Sequence, residues 1–237
     1  MITMNRSGKL TCAVVFALLT LVLIALVKFV DVAAIGPEAT RIGLSHLNGF
    51  VHEKTGVNML FYKVTEVLGI LSILVAAAFA VTGGVQLIRR RSIAKVDKEI
   101  FALGGLYVAV VALYVLFEKV IINYRPIIMP GAEHPEASFP SSHTMLVIAI
   151  MGSTIIVLRK YVRGKGARAA LQALCWIVML ATVAGRLLSG VHWLTDILGG
   201  IFISAALLSV FAAVIEEIRR RARRAARARK ARRNREN

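Results

Sequence analysis

Six apolar runs recur along the chain, at residues 10–27, 67–87, 100–117, 144–158, 169–184 and 197–215, separated by segments rich in basic residues, glycine, proline and histidine. The first run spans about 27 Å as a helix, at about 1.5 Å per residue. Several others fall short of a hydrocarbon core of roughly 30 Å, so each is predicted to gain a turn from its polar flanks. None alternates apolar with polar positions as barrel strands do, and backbone in lipid must satisfy its own hydrogen bonds, so each run is predicted to be a membrane-spanning helix. The expected fold is all-α: a six-span transmembrane bundle over residues 1–218, with no repeat and no internal domain boundary. No small-residue cleavage site follows the first run, which reads as a retained span.

Composition agrees. With 57% hydrophobic residues and a mean hydropathy of +0.71, the chain is too apolar for a soluble domain. The two cysteines, Cys12 and Cys175, lie inside apolar runs, and no disulfide is expected.

The net charge of +17 points to a membrane surface and not to nucleic acid, because the basic residues sit in short blocks between the apolar runs and in the terminal segment. If both termini lie on one side, that side receives Arg6 and Lys9, five basic residues over 89–98, five over 159–168 and eleven over 219–235, making 23 of the 30; the other side receives Lys28, Arg41, Lys54, Lys63, Lys119, Arg125 and Arg186. The positive-inside rule makes the first side cytoplasmic. Residues 219–237 then form a basic cytoplasmic tail, expected to be disordered, with anionic lipid head groups as possible partners. The connection 30–66 falls on the opposite side, and its stretch 42–60 is expected to form a short amphipathic helix along the interface, with Pro37 and Gly56 opposing a single continuous helix and packing against the bundle favoured over a role in guiding lipid.

The chemistry collects in three clusters on the charge-poor side. If the sixth span starts near His192, Asp196 at i+4 shares its helical face, and a carboxylate there can take the proton of one ring nitrogen and leave the other free as base or nucleophile. Pro140, Ser141 and Ser142 sit where the fourth span starts, and free N–H groups, hydroxyls and the helix dipole make an anion site there, with His143 beside it to protonate a leaving oxygen. Arg125 and Arg186 offer planar bidentate donors for phosphate oxygens. Each cluster alone also fits ordinary structure: a capped interfacial histidine, a helix start, an interfacial charge. Their convergence on one side points to phosphoryl transfer through a covalent histidine, with no acidic or Cys/His set for a metal and no cofactor.

The motifs resemble those of the type 2 phosphatidic acid phosphatase family, which includes membrane lipid phosphatases and vanadium haloperoxidases and reads K-x6-R-P, P-S-G-H and S-R-x5-H-x3-D. This chain carries Arg125-Pro126, Pro140-Ser141-Ser142-His143, and Arg186 followed by His192 and Asp196. The resemblance implies His192 as nucleophile, Asp196 as its orienting acid, His143 as general acid, and Arg125, Arg186 and Ser141 as phosphate ligands, with Ser142 and Lys119 as further candidates. Three positions depart. Lys119 is one residue too close to Arg125 and Glu118 holds its register, a turn of about 100° on a helix; Ser142 replaces glycine; Gly185 replaces serine. The expected function is an extracytoplasmic lipid phosphatase acting on an isoprenyl pyrophosphate, phosphatidylglycerol phosphate or phosphatidate. A lipid-linked phosphotransferase and a non-catalytic lipid-binding transporter or scaffold are the alternatives.

Overall fold

The apolar runs do become helices, each extended by its polar flanks, in a computed structural model that describes residues 5–236. The spans are α1 (Arg6–Phe29), α3 (Met59–Arg90), α4 (Lys98–Lys119), α5 (Ser142–Tyr161), α6 (Lys165–Leu188) and α7 (Leu194–Glu236), and a short α2 (Ser45–Thr55) lies between the first two spans. Local chemistry sets several ends. The side chain of Asn5 caps α1 by accepting from Gly8 N–H at 2.9 Å, and Asn58 caps α3 through Leu60 N–H at 3.0 Å. Gly56, at φ 62°, ends α2.

The most buried span, α5, packs against α3, α4, α6 and α7, while α1 lies along α7. Leu103, Leu106, Val157, Phe211 and Ile215 form the core at the basic end, and Val110, Met145, Ala149 and Ile203 continue it toward the opposite end. Leu21, Leu74, Val108 and Leu180 on the outer faces are exposed. Apolar surface of that extent is stable only against lipid, and the chain is a multi-pass membrane protein.

Charge divides between the two ends. At one end Lys9 pairs with Glu216, Lys160 with Glu99 at 2.6 Å, and Arg90 with Asp97 at 3.2 Å. All three chemistry-bearing clusters lie at the other end, where α4, α5, α6 and α7 open into loops.

Two expectations differ from the structure. The segment 219–236 continues α7 as helix instead of being disordered, which fits a sequence of alanine, arginine and lysine, all strong helix formers, extending from an already nucleated span. Helix α7 also begins at Leu194, so His192 stands in the turn before it. For α2, the structure shows packing: Asn48 is fully buried and exchanges hydrogen bonds with Thr195 at 3.1 and 3.2 Å, while Leu47 and Phe50 remain exposed.

Candidate active site

The turn between α6 and α7 carries His192 and is held from three directions. Gly190 adopts φ 67°, and a Cβ there would lie 2.0 Å from the Gly56 carbonyl oxygen, so only glycine lets this turn settle on the α2–α3 connection. Asn58 N–H donates to Ser189 O at 3.1 Å, and the indole of Trp193 donates to Tyr124 O at 2.7 Å. The loop after α4 is itself tied to the chain entering α5, by Arg125 N–H to Glu136 O at 3.0 Å and Ser138 N–H to Asn123 O at 2.9 Å. Segments distant in sequence therefore converge on His192.

His192 is 3% exposed and does not touch Asp196 directly: Nδ1 is 3.7 Å from Oδ2. Ser138 stands between them. Its hydroxyl lies 3.2 Å from Nδ1 and donates to Asp196 Oδ2. Because an ionised carboxylate only accepts, the proton of Ser138 points to Asp196, and Ser138 Oγ must accept from Nδ1–H. That assigns the proton to Nδ1 and leaves the lone pair on Nε2, which is buried and has no hydrogen-bond partner. Asp196 is fully buried and also accepts from Trp193 N–H at 2.9 Å and from Asn123 Nδ2 at 3.4 Å. Burial pushes the His192 imidazole below its usual pKa, against the pull of Asp196, and the charges of Arg125 and Arg186 push the same way. Neutral imidazole with a free Nε2 is the form a nucleophile needs.

The arginines supply unsatisfied donors. Nε and Nη1 of Arg125 and Nε of Arg186 are buried without hydrogen-bond partners. Arg125 Nε is 3.1 Å from Glu136 Oε2, but off the hydrogen-bond direction, so that ion pair leaves the donor open. Arg186 is 1% exposed, and its guanidinium lies 5.0 Å from the Tyr62 ring centroid. Glu66 on α3 pairs with Arg186 Nη2, and the same oxygen is 3.1 Å from His143 Nε2. Buried donors left unpaired cost about 1–3 kcal/mol each, so such a cluster favours an acceptor-rich anion.

Six of the predicted residues meet around this point. His192, Asp196 and Arg186 come from the α6–α7 region, Arg125 from the loop after α4, and Ser142 and His143 from the first turn of α5. Ser142 lines a small recess with His192, Arg125, Ser138 and Glu118. Ser141 is fully buried, and its Oγ accepts from Thr144 at 3.0 Å. Lys119 is exposed at the end of α4 and makes no ion pair or side-chain hydrogen bond among the described residues, whereas Glu118 faces the recess; the one-residue shift in register has this effect. Gly185 has a packing cause, since a Cβ there would sit 2.5 Å from Cγ2 of the buried Thr65 on α3. Sequence reasoning missed Glu66, Asn123 and Ser138.

Among the described residues no three His, Cys, Asp or Glu side chains group as metal ligands. A cavity of about 710 Å³ at the opposite end, among Asp97, Lys160 and Glu217, holds none of these residues. It lacks the unsatisfied donors and the histidines, which makes the smaller recess the candidate site.

A family model described as the PAP2 superfamily matches residues 72–220. No match is found among curated proteins. Among solved structures, the chain is similar to the crystal structure of a transmembrane PAP2-type phosphatidylglycerolphosphate phosphatase from Bacillus subtilis, with 17% identity, a TM-score of 0.62, and coverage of 87% of this chain and 97% of that one. At that identity the likeness is one of fold.

Proposed function

The chain belongs to the PAP2 superfamily, and from that membership and the site geometry we propose that it is a membrane lipid phosphatase working through a phosphohistidine on His192. The observation that carries this reading is the group of buried nitrogens without partners: Nε2 of His192, Nε and Nη1 of Arg125 and Nε of Arg186. Phosphate oxygens satisfy the guanidinium donors, and the lone pair of Nε2 addresses phosphorus.

In the proposed reaction Nε2 attacks phosphorus as the bond to the leaving oxygen breaks, and His143 gives that oxygen a proton. The imidazolium formed on His192 keeps its Nδ1 proton on Ser138, and Asp196 stabilises the charge through that hydroxyl. Water then attacks phosphorus, His143 takes its proton, and the P–N bond breaks to release phosphate and restore the free Nε2. Charge neutralisation falls to Arg125 and Arg186, so turnover is proposed to be independent of metal.

The candidate substrates are an isoprenyl pyrophosphate, phosphatidate and phosphatidylglycerol phosphate, the last being what the structurally similar Bacillus subtilis enzyme is named for. We place the site outside the cytoplasm on the division of basic residues, 23 of 30 of which fall on the opposite side. Phosphate release by purified protein in detergent, measured across the three lipid classes with and without EDTA, tests the proposal. Release from at least one lipid, insensitive to EDTA and blocked by vanadate, is expected. No release from any of them, with binding retained, contradicts it and favours a non-catalytic lipid-binding role.

A further inference from the structure

Resting on the phosphatase reading, we propose that Glu66 is an internal stand-in for phosphate: its carboxylate holds two of the site's polar groups, Arg186 Nη2 and His143 Nε2, and phosphate must displace it to reach them. One oxygen, Oε1, pairs with Arg186 Nη2 and lies 3.1 Å from His143 Nε2. These two groups come from different helices, α6 and α5, and both belong to the proposed phosphate-handling set. A carboxylate presents to them the same acceptor geometry that a phosphate oxygen does.

The contact is built into the packing. Glu66 shares a face of α3 with Tyr62, whose ring supports the Arg186 guanidinium at 5.0 Å, and with Gly69 one turn on. A Cβ at Gly69 would lie 2.9 Å from Cδ2 and 3.2 Å from Nε2 of His143, so glycine at that position lets α3 approach closely enough for Glu66 to reach the ring. The Glu66 side chain is 37% exposed, against 1% for Arg186. The guanidinium is fixed and the carboxylate has somewhere to go.

Electrostatics gives the consequence its sign. A carboxylate and a phosphate sharing these donors repel each other, so Glu66 competes with substrate and with product alike. It keeps Arg186 and His143 aligned for an incoming phosphate, and it weakens the hold on inorganic phosphate once the lipid product has left. Glu66 is thus a positioning residue that favours phosphate release. A residue serving only to orient Arg186 has the opposite sign, because its loss weakens phosphate binding.

The test measures binding of inorganic phosphate to purified protein by calorimetry and its inhibition of lipid phosphate hydrolysis, in wild type, Glu66→Gln and Glu66→Asp. Glutamine keeps the shape and removes the charge; aspartate keeps the charge and loses a methylene of reach. Phosphate is expected to bind Glu66→Gln at least about tenfold tighter, with a lower KM and no matching rise in kcat, and Glu66→Asp to shift the same way by less. Where Glu66→Gln does not purify as a folded species, the aspartate variant decides by the same sign. Unchanged or weaker phosphate binding in the folded variants, with wild type binding and turning over normally, overturns the role of Glu66 alone. Wild type that neither binds phosphate nor hydrolyses any lipid phosphate overturns the phosphatase reading together with it.

Discussion

The hydroxyl of Ser138 lies 3.2 Å from Nδ1 of His192 and donates a hydrogen bond to Asp196, so the histidine is oriented through a serine and not by direct contact with the acid. Ser138→Ala leaves Nδ1–H without its acceptor and Asp196 without one of its donors, at a His192–Asp196 separation of 3.7 Å. The expected loss in kcat is about tenfold to a hundredfold, with KM little changed, since the arginines are untouched. Asp196→Asn is expected to cost more, about 10³-fold or beyond, because an amide can donate to Ser138 and reverse the tautomer of the ring. Steady-state kinetics of the two variants checks the order; a Ser138→Ala enzyme with wild-type kcat contradicts the relay.

The depressed pKa of His192 sets an expectation for pH. Its ordinary value is 6.5, and burial moves the folded value lower, so between the two the folded protein keeps His192 neutral where a solvent-exposed histidine is already protonated. The acid limb of kcat/KM is therefore expected below pH 6.5. The sign for stability follows: the unfolded chain gains a proton on this histidine as pH falls past its ordinary value while the folded chain does not, so His192 lowers stability progressively in that window. Thermal unfolding of wild type and His192→Gln across the acid range checks this, the variant losing less stability on acidification. An acid limb centred above pH 7 contradicts the assignment.

Much of the candidate site is legible in the sequence because two histidines, an acid and two arginines lie at or beside the ends of apolar runs that emerge on one side of the membrane. His143, His192, Asp196, Arg125 and Arg186 stand out this way, and the fold brings the five together. What was not readable has physical causes. Ser138 and Asn123 are small polar residues in loops, indistinguishable by composition from turn residues until Tyr124 and Ala137 form the bridge that brings the two loops together. Glu66 stood one residue before the apolar run at 67–87 and read as a flank, but α3 starts at Met59 and places it two turns inside the helix. Helix α7 starts two residues after His192, so a serine-bridged arrangement stands where the sequence spacing predicts a direct i, i+4 contact.

Sidedness is tested by placing single cysteines. With 23 of 30 basic residues on one side, a cysteine near Glu133, in the loop before Pro140, is expected to react with an impermeant thiol reagent in intact cells, and one near Arg227 only after lysis. Both native cysteines are free and lie within spans, Cys175 buried, so background labelling is expected to be small. The reverse pattern would place the site, and its substrate pool, at the cytoplasmic leaflet.

The proposed mechanism bonds phosphorus to Nε2 of His192 during turnover. Rapid quenching of purified protein with lipid substrate labelled at the terminal phosphate, followed by peptide mapping, addresses it directly. The expected result is label on the peptide containing His192, stable to alkali and released by acid, with His192→Ala unlabelled, still folded and slowed by at least about 10³-fold in kcat. A His192→Ala protein that turns over within tenfold of wild type contradicts the account.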